Sequence, residues 1–97
     1  DEFIEIDESL VSQPTKISIR VESLNDYSDT DRIQQLLREG NIIFLRIKEL
    51  RKRDLSELKR AVEKIKRTCV AVNGDIVGVN EDFIILTPNF ARIYKGK

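Results

Sequence analysis

Ile17, Ile19 and Val21 alternate with Ser18, Arg20 and Glu22, a period of two that predicts a first strand with one buried face, closed by Leu24. The period then changes. Ser28 or Asp29 supplies a helix cap, Ile33, Leu36 and Leu37 share one face of the helix that follows, and Gly40 stands where a C-terminal cap belongs. Ile42, Ile43, Phe44, Leu45 and Ile47 form a nearly unbroken apolar run, the pattern of a central strand covered on both faces. After a turn at Arg51, Lys52 and Arg53, Asp54 with Glu57 resembles a capping box. Leu55, Leu58, Val62 and Ile65 then recur at helical spacing, predicting a second helix over about residues 54–68. Three short strands are expected over 69–72, 76–79 and 83–86. Asn73-Gly74 is read as a type I′ hairpin turn, residues 80–82 as the next turn, and Thr87-Pro88 as the stop. Ala91 to Tyr94 offer a terminal strand. The order β-α-β-α-β-β-β describes an α/β two-layer sandwich, two helices on one face of an approximately five-stranded mixed sheet.

A sheet of this kind leaves one face without helices. Since residues 42–45 and 83–86 are apolar at odd and even positions alike, both faces call for burial, and a second copy of the chain is the simplest cover. A homodimer packed sheet to sheet, with Phe44 and Ile85 at the contact, is expected. The competing arrangement pairs helices through the stripe Leu55, Leu58, Val62 and Ile65, beside which Ala61 allows close approach. The plainer meaning of that stripe is packing on the chain's own sheet.

Composition narrows the chemistry. The 97 residues fit one domain, and 17 basic residues balance 17 acidic ones. The balance is uneven along the chain: residues 1–15 carry five acids and no base, which leaves residues 16–97 with a net charge of +5. The first segment reads as an acidic linker or tail, in which Phe3, Ile4 and Ile6 offer a short strand, and residues 16–97 as the core domain. The chain opens at Asp1 without a methionine and is expected to be a fragment. With no histidine and a single cysteine, Cys69, it lacks disulfide frameworks, Cys/His zinc sites and histidine-based catalysis. No stretch is apolar and long enough to span a membrane, and a cytoplasmic setting is the default expectation.

From Arg60 to Pro88 the sequence RAVEKIKRTCVAVNGDIVGVNEDFIILTP resembles the core of the SepF family of cell-division proteins. Gly74-Asp75-Ile76 and Thr87-Pro88 are its most specific pieces, and the likeness extends over about residues 16–94. The resemblance implies an adaptor that anchors the tubulin-like protein FtsZ to the membrane. It works through an N-terminal amphipathic helix, a flexible linker and a dimeric core that binds the FtsZ C-terminal peptide. The helix would lie upstream of Asp1, and the protein would sit at the inner face of the cell membrane at the division site. On the strand pair the resemblance points to Val77, Gly78, Val79, Phe83 and Ile84 as peptide contacts, and to the position of Arg67 as a subunit or assembly contact. The sequence departs from bacterial members at three places: Arg67 replaces a glycine, Ile84 an aromatic and Gly78 a basic residue. It is more similar to the archaeal branch.

Other chemistries have thinner support. Asp26, Asp29 and Asp31 are better explained by helix capping than by a metal, and Cys69 by burial than by reactivity. The basic residues around Lys59, Arg60, Lys64, Lys66 and Arg67 suggest an alternative, an Alba-like nucleic-acid-binding protein. Glu57 and Glu63 interrupt that run, however, and nucleic acid is not the expected partner. No phosphate loop, dinucleotide fingerprint or histidine supports an enzyme, and neither cofactor nor metal is expected.

Overall fold

In a computed structural model the described residues are 16–96; the acidic segment 1–15, with the strand expected near Phe3, lies outside them. The chain runs through β1 (Ile19–Ser23), a 3-10 turn (Tyr27–Asp29), α1 (Thr30–Arg38), β2 (Ile42–Arg46), α2 (Lys48–Arg53), α3 (Leu55–Ala71), β3 (Asp75–Gly78) and β4 (Phe83–Thr87). The described sheet is four-stranded and mixed, in the order β1-β2-β4-β3. β1 and β2 are parallel, as expected of strands joined through a helix, and β4 runs antiparallel to both its neighbours. β1, β2 and β3 therefore point the same way, and their first residues lie at one end of the molecule.

Helices cover one face. Leu24, Ile33, Leu36 and Leu37 meet Ile43, Leu45, Ile84 and Leu86 from the sheet, Leu50 from α2 and Leu58, Ala61 and Ile65 from α3 in one cluster. Each such side chain contributes about 1.5–3 kcal/mol relative to exposure. Of the stripe on α3, Leu58 and Ile65 are buried in this cluster and Val62 packs against it, while Leu55 is 52% exposed.

Several expectations need correction. Residues 69–72 are not a strand: α3 continues to Ala71, with Thr68 and Cys69 buried on its inner face. The Asn73-Gly74 signal is real but serves a different turn. Asn73 adopts φ 60°, its N–H donates to Val70 O, and the Gly74 N–H donates to Cys69 O, which is a Schellman cap rather than a hairpin. Positive-φ tolerance favours both turns, and the helical run upstream decides between them. Gly40, at φ 94°, closes α1 by the same bonding pattern, as expected. The Arg51-Lys52-Arg53 turn is the end of the extra helix α2, whose Leu50 is fully buried. With 69–72 helical the described sheet has four strands rather than five, and residues 91–94 add none. Finally, the alternating Ile17, Ile19 and Val21 are exposed, and β1 turns the polar Arg20 and Glu22 toward the helical side. There Glu22 pairs with Arg32 of α1, a polar edge to that layer.

Gly74 is fixed by space. A Cβ at this position would run into the carbonyl of Thr87, with the Cys69 sulfur 3.2 Å away. Thr87 is itself buried, its Oγ1 accepting from the Asp75 N–H at 3.2 Å and donating to Ala91 O at 2.9 Å. Gly74→Ala is expected to lower stability by about 2–4 kcal/mol, because backbone must move on both sides of the contact. Urea unfolding would measure this, and an unchanged midpoint would contradict the packing described.

Candidate functional site

Residues directly opposite one another in a sheet share a face, so the strand register assigns every side chain. One row across the sheet is Val21, Phe44, Ile85 and Val77; Ile19 and Ile42 lie on the same side at one end, Arg46 and Phe83 at the other. No helix of the described residues covers this side. Ile19 and Val21 remain 67% and 63% exposed, which makes an apolar patch rather than a scatter of single residues. The Phe44 and Phe83 rings stack with centroids 4.7 Å apart and planes 17° apart. The guanidinium of Arg46 lies 5.8 Å from the Phe83 centroid, so the charge at this end rests on an aromatic face.

The sequence-derived candidates divide among three places. Phe44, Ile85, Val77 and Phe83 come together on the open face, and Val79, whose N–H donates to Phe83 O, extends their line along the hairpin. Gly78 pairs with Ile84 on the opposite side; Ile84 is buried in the core at 8% exposure, whereas a Cβ at Gly78 would meet nothing within 4 Å. The five proposed peptide contacts thus do not share one face. β3, which carries Val77 and Gly78 and leads into Val79, is an edge strand whose outer backbone has no strand neighbour among the described residues. Ala61 is fully buried against its own core and offers no surface for helix pairing, while Arg67 is exposed on the outer side of α3. Sequence reasoning missed Ile42 and Arg46 on the open face. Their alternation with Ile43 and Leu45 carried the signal, but a run apolar at every position conceals it.

The polar clusters have structural work. Asp26 caps the 3-10 turn, accepting from the Ser28 hydroxyl at 2.7 Å, and Asp29 accepts from the Asn25 and Asp26 N–H groups. Asp31 pairs with Lys64 at 3.0 Å, so the three aspartates face different partners. Among the described residues no group of three or more carboxylate or thiol side chains is placed to hold a metal. Burial pushes the Cys69 thiol up, with the Asp75 charge adding to it. The basic run is also divided: Arg51 pairs with Asp82, Arg53 with Glu57, and Lys64 and Arg60 lie over the Tyr27 ring. No helix of the described residues is long and apolar enough to cross a membrane.

Residues 19–93 match the family model described as cell division protein SepF. Among solved structures the chain is similar to a SepF-like protein from Archaeoglobus fulgidus, with 30% identity and a TM-score of 0.77 over 84% of this chain and 96% of that one. A SepF-like protein from Pyrococcus furiosus shares 22% identity, with a TM-score of 0.76 over 86% of this chain and 100% of that one. The cell division protein SepF from Methanobrevibacter smithii, solved in complex with FtsZ-CTD, shares 21% identity, with a TM-score of 0.69 over 81% and 99%. No curated protein matches the chain at a significant level.

Three carboxylates should report on acid stability. The Ser28 hydroxyl and N–H lower Asp26, the Glu57 N–H and Ser56 hydroxyl lower Asp54, and the Ile93 and Ile76 N–H groups with Lys95 lower Asp75. A carboxyl lowered in the folded state contributes stability above its unfolded value, about 4, and loses it as pH falls through the folded value. The urea midpoint should hold from neutral pH to about 5 and then decline. The combined variant Asp26→Asn, Asp54→Asn and Asp75→Asn should start lower and decline less; an equal decline would contradict these assignments.

Proposed function

The chain belongs to the SepF family of cell-division proteins, a family without enzymatic activity, and from that premise we propose that it is an adaptor whose dimeric core binds the C-terminal peptide of FtsZ. A membrane-attached segment N-terminal to the core tethers the complex to the inner face of the cell membrane at the division site, and the acidic residues 1–15 are the linker. The observation that carries the partner is the Methanobrevibacter smithii relative, solved with FtsZ-CTD. The physical support is a strand edge without a strand neighbour among the described residues, beside apolar side chains, a surface suited to a short extended peptide.

Two surfaces divide the work. A second copy packs on the open face, over Val21, Phe44 and Ile85, and takes that patch out of water. The peptide seats along the β3–β4 hairpin, where Val77, Gly78, Val79 and Phe83 meet it and Ile84 supports the strand from the core. Arg67, lying on the outer side of α3, is left to contacts between dimers.

Calorimetric titration with the FtsZ C-terminal peptide of the same organism tests the reading, with duplex DNA as a parallel titrant. One peptide per protomer and no DNA binding are expected. Gly78→Glu should keep the fold, since the position opens to empty space, and weaken the peptide at least about tenfold, or about 1.4 kcal/mol. Ile84→Asp is unsuitable because it would put a carboxylate into the core and unfold the domain. A folded wild-type chain that ignores the peptide would overturn the proposal.

A further inference from the structure

The end of the molecule where β1, β2 and β3 begin is also where α1 and α3 finish and where the segment after β4 returns. It collects positive charge. Lys16, Arg38, Lys66, Arg67 and Arg92 are exposed there, and none pairs with a carboxylate among the described residues. Two acids nearby are engaged elsewhere, Asp75 with the Ile93 N–H and Lys95 and Glu39 with the Gln35 amide, while Glu63 stands one helical turn before Lys66 and Arg67. On the outer side of the last turns of α3, Glu63, Lys66, Arg67, Val70 and Ala71 line a shallow depression. Val70, 66% exposed, forms its apolar floor, and two cations stand at its rim.

Residues 1–15 enter the fold at this same end, through Lys16. Their sequence is the chemical complement of the depression: Asp1, Glu2, Glu5, Asp7 and Glu8 interleave with Phe3, Ile4 and Ile6, with no basic residue. Reach is sufficient. Three strand spacings of about 4.8 Å separate β1 from β3, about 15 Å in all. An extended chain covers about 3.3 Å per residue, so residues 9–15 span that gap and deliver the acids to α3.

We propose that the acidic segment 1–8 docks in cis on the C-terminal half of α3, its carboxylates against Lys66 and Arg67 and its apolar side chains over Val70 and Ala71. The contact lies on the helical side of the molecule, away from the open sheet face, and is independent of the peptide reading. It covers the outer surface of α3 that includes Arg67. Surface ion pairs of this kind act together with the apolar floor, and the tether supplies a high local concentration.

Carbodiimide coupling of the full chain, mixed from ¹⁵N-labelled and unlabelled protein and read by mass spectrometry, tests the proposal. Lys66 should couple to carboxylates of residues 1–8 within one chain, in clear excess over Lys52, an exposed lysine of α2 at the far end. The excess should vanish in about 1 M salt, where the screening length is about 3 Å. In NMR spectra of the full chain, the combined variant Glu2→Gln, Glu5→Gln, Asp7→Asn and Glu8→Gln should shift the Val70 and Ala71 amides and leave those of the β4 core unmoved. Equal coupling at Lys52 and Lys66, coupling only between chains, or unmoved amides at Val70 and Ala71 would overturn it.

Discussion

The sheet is apolar on both faces, and the described residues fold one layer of helices. On the helical side Ile43, Leu45, Ile84 and Leu86 are buried to 8% exposure or less, while their strand neighbours Phe44 and Ile85 face the other way with Val21 and Val77. Since apolar area costs roughly 25 cal/mol per Å² to leave in water, the open side is the largest unmet demand of the fold. Strand composition follows from it. β1 can place Ile19 and Val21 outward and polar residues inward because it is an edge strand, where Arg20 stays exposed and the mostly covered Glu22 is paired by Arg20 and Arg32. The central strands β2 and β4 have no such freedom and are apolar except at their last residues, Arg46 and Thr87.

The helical side is held by turns that admit few substitutions. Two Schellman caps, at Gly40 and at Asn73-Gly74, stop α1 and α3 and aim the chain into β2 and β3. At the second, the Gly74 backbone lies on the Thr87 carbonyl, Asp75 pairs with Thr87 across the strands, and the Asp75 carboxylate holds the Ile93 N–H of the segment beyond. The Gly74-Asp75-Ile76 and Thr87-Pro88 pieces, far apart in sequence, thus make one junction. It sets the position of the β3–β4 hairpin, and with it the surface assigned to the peptide.

Much of this was legible in the residues. The parallel β1–β2 pair, the capped α3, the one-sided helical layer and a second apolar face all follow from period and capping. What escaped did so for physical reasons. Asn73-Gly74 marks a positive φ but not the element it terminates, so a helix end and a hairpin share the same signature. The alternation in β1 gave two faces without saying which looked inward, a choice made only when the sheet meets the helices. Ala61 and Ile84 were read as surface candidates because a small or β-branched residue has the same local signature at a contact and in a core. The family, by contrast, was readable from the junction residues, whose spacing the fold requires.

Sedimentation equilibrium of the chain, alongside Phe44→Glu, bears most directly on the claim that a second copy covers the open face. The account predicts twice the 11.3 kDa chain mass for the wild type. The variant, which sets like charges against each other across the contact, should sediment as a folded monomer. A wild type that stays monomeric at high concentration, or a variant that still dimerises, would contradict it.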